Sequence, residues 1–547
     1  MADSSVHDSS EMRSGLASRT SGLMSSLRLV SLGTVVSRIL GLLRDIAMTS
    51  VFGASTILDA FIVAFRIPNL ARQLLGEGAL STAFLPIYIR QQQTKGDSAA
   101  REMMTAVAIA SAAILLAILL LFEVAIGIVW WLLELSPSTR ILLQLLAVMM
   151  PYCVLICLSA LFCSALHARR QFLLPALVPI ALNVVWLTVL GVTRLLVGEL
   201  TTIALFSAGG VLIAGFVQLL IPLWGLHRQH LGLSPHWRNG WRQVKDVFSA
   251  MLPVVVGMSI IQMSAILDSL LAWSFSKPDD GGQAWCETLG LPVLMESGTA
   301  SALYLGQRLY QFPLGVFGIA LGTVLYPLLT QHAQAGATDL LQRDLSRGIR
   351  IMLAVALPAS AGLCVMAWPL TRALFERGKF DLEDTVLTSR MIAIYACGVW
   401  CFIGIAILNR AFYATGDRRT PMTIGFQAFL LNLLLNLLLI WKVGGVGLAI
   451  SSVLASLFQV CVTLMILNRR VGPLHWDSIF KTLFKGLFAT VLMAGGCLLI
   501  QGWLPSGDAI EFKLIQLLVP CLVGLGIYAT VAMALRMNEL EELLIRP

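Results

Sequence analysis

Apolar residues run through this chain in long unbroken blocks. Fourteen of them, near 27–50, 56–89, 104–133, 141–166, 172–194, 203–226, 247–275, 299–330, 350–373, 386–414, 421–441, 445–468, 482–503 and 514–535, could each cross a bilayer. A spanning helix needs about 20 such residues. Ten-residue alternation, the mark of a membrane β-barrel, is missing. The pattern predicts an all-α polytopic membrane protein with about 14 transmembrane helices.

The polar segments give the orientation. Residues 1–26 are Ser-rich and polar, which predicts a disordered N-terminal tail rather than a cleaved signal peptide. Loops after even-numbered spans, such as "HARRQ" and "HRQHLGLSPHWRNGWRQVK", carry roughly twenty Lys/Arg against about eight on the other side. The positive-inside rule makes that side, and both termini, cytoplasmic. This asymmetry accounts for the net charge of +8 without any nucleic-acid partner.

Composition agrees. Of 547 residues 57% are hydrophobic and 12% charged, where soluble domains carry about 25% charged residues. The ten cysteines fall inside apolar runs except Cys286, which sits in a predicted loop. Cys153/Cys157 and Cys397/Cys401 are spaced i, i+4, but no His or carboxylate completes a metal set, so they read as small buried hydrophobes.

Two halves resemble each other. "ALSTAFLP" (79–86) matches "ALGTVLYP" (320–327) at an offset of 241, and Gln218 and Gln459 share that offset. "ALHARRQFLLP" (165–175) matches "AFYATGDRRTP" (411–421), with Asn183 and Asn432 following. The reading is a first lobe over 27–226, a cytoplasmic linker over 227–246, a second lobe over 247–470, and two extra helices with a C-terminal tail over 471–547. Six helices per lobe make a parallel repeat around a central cavity. Pro86 and Pro327 suggest a cytoplasmic gate near 84–90 and 325–331.

Charges inside the spans are concentrated. Arg38, Arg44, Asp45, Asp59, Arg66, Arg72 and Glu77 lie in the first two spans, with Asp268 and Arg308 at matching places in the second half. Each charge costs roughly 2.5–3.5 kcal/mol at a helix centre on insertion scales. Arg38 and Asp45 share a helical face, and Pro68 should bend the helix between Arg66 and Arg72. Guanidinium forks hold phosphate and stay charged at physiological pH, so a pyrophosphate suits the set. The structural alternative is that Arg44–Asp45 and Arg72–Glu77 are ion pairs stitching two helices together. Glu123, alone in the third span, has no assigned role. P-loop, HExxH, CxxC and GxSxG motifs are absent in suitable contexts, which argues against an enzyme or ATPase.

"SRILGLLRDIAMTSVFGAS", "LDAFIVAFRIPNLARQLLGEGALSTAFLPIY" and "QRLYQFPLGVFGIALGTVLYPLL" resemble the MurJ (MviN) lipid II flippase family, of the superfamily holding MATE exporters and Wzx flippases. The resemblance covers about residues 27–470. It implies movement of undecaprenyl-pyrophosphate-linked disaccharide-pentapeptide from the cytoplasmic to the periplasmic leaflet of the inner membrane. The last two helices would form a groove for the lipid tail. Site residues carried over are Arg38, Arg44, Arg72, Arg308, Asp59 and Glu77, with Arg66 in place of a family Lys. Gln307 and Gln311 depart from family acids. Sodium is the one cofactor the resemblance suggests, with candidate ligands Asp268, Asn432 and Asn436. Other cell-wall synthesis proteins are candidate partners. Rival readings are a Wzx-like flippase for another polyprenyl-pyrophosphate glycan, a MATE-type drug antiporter, and a non-transporting lipid II sensor or scaffold. An arginine-rich cavity disfavours the cationic substrates of the antiporter.

Overall fold

The computed structural model describes residues 30, 32–74, 80–279 and 281–539. The tail 1–26 and Glu77 lie outside them. Among the described residues the elements are helical, save one bridge between Ser276 and Met295. Helix α1 spans 32–52. There follow α2 (Thr56–Ala71), α3 (Leu80–Leu132), α4 (Pro137–Met149), α5 (Tyr152–Ala168), α6 (Leu173–Leu196), α7 (Leu200–Arg228), α8 (Trp241–Ser274), α9 (Trp285–Thr288) and α10 (Thr299–Pro313). The second part adds α11 (Ile319–Gln334), α12 (Thr338–Val365), α13 (Ala367–Leu374), α14 (Leu382–Cys397), α15 (Val399–Ala414), α16 (Arg419–Val443), α17 (Gly445–Val471), α18 (Trp476–Trp503) and α19 (Ile510–Ala534). Cys286, expected in a loop, is buried in α9.

Among the described residues nine helices are long and apolar enough to cross a membrane, or eleven if two bent pairs each form one span. The expected fourteen are not reached on length and composition alone. The three remaining segments, 27–50, 56–89 and 247–275, are those that carry Arg38, Arg44, Asp45, Asp59, Arg66, Arg72 and Asp268. As described, α2 has 16 residues, short of a full span, and α1 carries Arg38, Arg44 and Asp45 within its 21 residues. The bent pairs are α10, continued by a π-helical turn Leu314–Gly318, with α11 at 41°, and α14 with α15 at 42°.

The chain forms two compact units. One holds Met1–Met48, Ala64–Leu135 and Thr139–Ser259; the other holds Thr49–Val63, Ser136–Ser138 and Ile260–Pro547. In the first, α5 packs between α3 and α7. Its core includes Phe84, Tyr88, Met103, Phe162, Leu166 and Leu226. Lipid is as apolar as leucine, so close approach rather than water exclusion drives such packing. Gly215 supplies it: a Cβ there would stand 2.7 Å from the Tyr152 ring. In the second unit α12 is central, touching α11, α14, α15 and α18. Leu329, Leu345, Ile349, Phe412 and Leu467 belong to its core. Tyr88 and Leu329 are thus each sealed inside the core of their own unit, because their helices turn those faces toward neighbouring helices. The proposed gate faces are therefore not formed by these two side chains.

Helices α18 and α19 cross where glycines permit it; a Cβ on Gly496 would lie 2.2 Å from Ile527 Cδ1. The hairpin is fastened to α12 by Tyr528, whose hydroxyl donates to the Ala354 carbonyl at 2.5 Å. One end is held by Thr482 Oγ1 donating to Glu539 at 2.7 Å, with Arg350 also pairing Glu539 at 3.4 Å. At the other end Lys513 Nζ reaches Glu376 Oε1 at 3.0 Å, and Arg372 joins Glu376 at 3.1 Å. Burial alone would raise the Glu376 carboxyl, but hydrogen bonds from Lys513 and Arg372 hold it below its ordinary value. A lowered folded value means stability that is present above the unfolded pKa and lost as pH falls through the folded one. The thermal midpoint should therefore fall more steeply below about pH 4.5 in the unaltered chain than in Glu376→Gln, measured by scanning fluorimetry in detergent. Parallel pH profiles would show that the cluster does not hold the hairpin.

Candidate functional site

Arg44 is a charge that the first unit has sealed. Its side chain is 6% exposed and that of Asp45 4%. Nη2 and Nε donate to Asp45 Oδ1 at 2.7 and 3.1 Å, and Nη1 to Asn183 Oδ1 at 3.3 Å. The guanidinium carbon lies 4.4 Å from the centre of the Trp186 ring. Phe65 stands edge-on to that indole at 4.9 Å. A desolvated cation–π contact is worth about 2 kcal/mol or more, and the carboxylate cancels the charge. Together they are of the size of the insertion cost of one arginine. Asn183 is itself fixed by donating to the carbonyls of Ser37 and Pro179, each at 3.2 Å. Beside it Gln218 accepts from Tyr152 Oη at 3.0 Å and donates to the Val178 carbonyl at 2.8 Å. The pairing reading of Arg44 and Asp45 is thus realised.

The other arginines keep accessible surface. Arg38, seven residues before Asp45, is exposed, while Arg66 and Arg72 are half-buried. Arg38 and Asp45 share a helical face by phase, yet they differ in depth. Helix α2 runs through Pro68 unbroken; the pattern changes to a π turn only at 72–74. Arg72 Nε donates to Asn69 Oδ1 at 3.1 Å. Glu123 keeps a buried Oε1 with no hydrogen-bond partner, and nothing around it explains why.

In the second unit Arg308 is half-buried on α10. Gln307 next to it donates to Tyr395 Oη at 3.1 Å. Tyr395 packs against Tyr310, which stacks on Phe402 with ring centres 4.4 Å apart. The amide that replaces a family acid at 307 therefore serves a neutral aromatic cluster. A second polar cluster gathers Asp268, Asn432 and Asn436, the three residues singled out as sodium ligands. Asn436 Nδ2 donates to Asp268 Oδ1 at 2.6 Å, and Ser452 Oγ donates to Asp268 Oδ2 at 3.0 Å. Asn432 Nδ2 lies 3.3 Å from Ser452 Oγ.

Residues 49–63 precede the first lobe's main body in sequence but pack within the second unit. Asp59, 1% exposed, accepts from the Gly298 and Ser301 amides at 2.9 and 2.7 Å and from Ser301 Oγ at 2.5 Å. These are the orphan donors of the N-terminus of α10. A carboxylate there gains from the helix dipole, up to about 2 kcal/mol when partly buried. The approach requires glycine: Gly298 has φ +81°, and a Cβ on it would lie 2.2 Å from the Ala54 carbonyl oxygen. Nearby, the Thr56 amide donates to Asp279 at 2.8 Å, Thr56 and Ser297 hydroxyls meet at 3.2 Å, and the Ala54 amide donates to Asp384 at 2.9 Å. Asp59 is thus a helix cap in this structure.

A family model described as lipid II flippase MurJ matches residues 48–518. The chain belongs to that family. It is 32% identical over 477 residues to a probable lipid II flippase MurJ of Buchnera aphidicola subsp. Acyrthosiphon pisum, covering 86% of this chain and 88% of that one. A Vibrio cholerae protein of the same description is 30% identical over 539 residues, covering 94% and 96%. The fold is similar to that of a solved lipid II flippase MurJ in an inward closed conformation, with TM-score 0.73 at 22% identity over 93% of this chain and 99% of that one. An inward-facing MATE family transporter of the MOP superfamily matches with TM-score 0.64 at 12% identity over 84% and 99%. The family expected from the span 1–2 motif, and its all-helical membrane fold, are confirmed.

Sequence reading missed Trp186, Ser301 and Ser452 as partners of the charges, and Asp279 as the partner of Thr56. Asn183 was visible only as a repeat marker paired with Asn432, and that pairing was the signal available. Cysteines placed by Thr56→Cys and Ser297→Cys, in a chain freed of native cysteines, should form a disulfide on mild oxidation. Gel mobility before and after reduction reads it. Failure to couple would contradict the packing of 49–63 beside α10.

Proposed function

We propose that this chain moves lipid II from the cytoplasmic to the periplasmic leaflet of the bacterial inner membrane by alternating access, with fourteen crossings and both termini cytoplasmic. Its pyrophosphate would be held by arginines. Family membership supports the substrate; the Lys/Arg bias of the loops supports the orientation. The observation that carries the residue assignment is a difference in exposure. Arg44 is enclosed by Asp45, Asn183 and Trp186, while Arg38, Arg66, Arg72 and Arg308 keep open surface. The four with accessible surface are the pyrophosphate ligands; Arg44 with Asp45 holds α1 against α6. Guanidinium carries fixed charge and a two-pronged donor, so the grip survives any physiological pH.

The Asp59 cap on α10 is a contact inside the second unit. No step requires chemistry beyond hydrogen bonds and ion pairing.

The Asp268 cluster supports a sodium site as a second element. Aligning the first helices of the two halves on Asp45 and Asp268 puts Leu267 in the place of Arg44. The residue that precedes the carboxylate in the second half is thus apolar. Asn436 Oδ1 is buried and has no hydrogen-bond partner, and the remaining donors are oxygens suited to a hard ion. Asp268, Asn432, Asn436 and Ser452 would hold it, and the ion would neutralise the carboxylate.

Arg38→Ala and Arg308→Ala should abolish lipid II translocation at normal membrane abundance, with lipid II accumulating in the cytoplasmic leaflet of depleted cells. Loss of one charge-assisted contact corresponds to roughly ten- to hundredfold. Lys at either place should restore only part. Arg44→Ala should instead lower abundance and thermal stability. Wild-type translocation by Arg308→Ala would remove the pyrophosphate assignment.

Sodium chloride, but not potassium chloride, should raise the thermal midpoint of the purified chain, and Asp268→Asn should erase the difference. Equal response to both salts would dismiss the ion.

A further inference from the structure

The segment between α7 and α8 is built unlike a loose connection. Arg101 Nε donates to the Gly232 carbonyl at 3.0 Å, and the Ser234 amide donates to Thr105 Oγ1 at 2.9 Å. A 3-10 turn, Trp237–Gly240, then lies so close to α3 that a Cβ on Gly240 would be 2.5 Å from the Glu102 carbonyl oxygen. The linker is pinned to one helix of its own unit, and its outward side chains are held in place.

Those side chains alternate indole and guanidinium. Arg228 lies over Trp224, its Cζ 4.5 Å from the ring centre, and Arg238 lies over Trp237 at 5.6 Å. Trp237 and Trp241 meet edge to face at 5.6 Å. Trp224 and Trp241 are 52% and 48% exposed. Arg228, Arg238, Arg242 and Lys245 are exposed, against the single exposed acid Asp246. By construction the segment sits where two membrane helices end. Indole rings favour the headgroup level of a bilayer, and basic groups there draw anionic lipid.

We propose that Trp224–Lys245 is a docking site for anionic phospholipid headgroups, separate from the arginines assigned to lipid II. The guanidinium groups of Arg228, Arg238 and Arg242 take the lipid phosphate, and the three indoles lie against the glycerol and upper acyl chain. Indoles alone would set depth in any lipid. The excess of fixed positive charge is what selects anionic over zwitterionic headgroups.

The test uses the full chain in phosphatidylcholine liposomes containing a trace of photoactivatable phosphatidylglycerol or photoactivatable phosphatidylcholine. Crosslinks are mapped by peptide mass spectrometry. Phosphatidylglycerol should label 224–245 at least about fivefold more than phosphatidylcholine, the size expected for one basic residue near the surface. Arg228→Gln, Arg238→Gln and Arg242→Gln together should remove that preference, while Lys at the same three places keeps it. If the Gln variant fails to insert, salt decides: the preference should vanish in about 1 M salt, where the screening length is about 3 Å. Equal labelling by both lipids, a preference that survives high salt, or an unchanged preference in the Gln variant would overturn the proposal. So would displacement by millimolar glycerol phosphate, which would mean a site for a soluble anion.

Discussion

Hydrocarbon gives a polar group nothing to bond with, so a charge in a membrane helix must be met from within the chain. That constraint arranges much of this molecule. Arg44 is met by Asp45, Asn183 and the Trp186 face, which ties α1 to α6. Asp59 is met by the amides that begin α10. Gln218 is met by Tyr152 and the Val178 carbonyl, tying α5, α6 and α7 together. In each case the polar contact links side chains or backbone of different helices and so fixes which faces meet.

The two halves solve the same problem differently. The first encloses a carboxylate with a guanidinium carried on the preceding residue. The second meets Asp268 with the Asn436 amide and the Ser452 hydroxyl and has Leu267 at the preceding position. That difference sits in a single position of an otherwise parallel pair.

Much of this was legible in the sequence. Continuous apolar blocks predicted helices, and the density of charges in the first two spans marked the site region, because apolar context makes each charge conspicuous. What stayed hidden was which charge faces what. Arg38 and Asp45 share a face on paper, yet one is exposed and the other sealed, because α1 is covered by neighbours only along part of its length. Residues 84–90 and 325–331 read as a gate from a repeat, but helix rotation turns Tyr88 and Leu329 within them into the cores of their own units. Asp59 read as a ligand, whereas its donors come from a backbone whose sequence, "ESGTAS", carries no periodic signal. Serine and glycine at a helix start are visible only once the partner carboxylate is placed.

The cap on α10 also has a consequence in time. Asp59 and Ser301 lie 242 residues apart. Ribosomes add roughly 5–20 residues per second, so the carboxylate waits on the order of ten to fifty seconds for its donors. During that interval the segment 49–63 is already made but has no place to settle. Segment 49–63 is therefore made long before the rest of the unit in which it packs. The order of synthesis thus leaves the first-made half incomplete until the last-made half arrives.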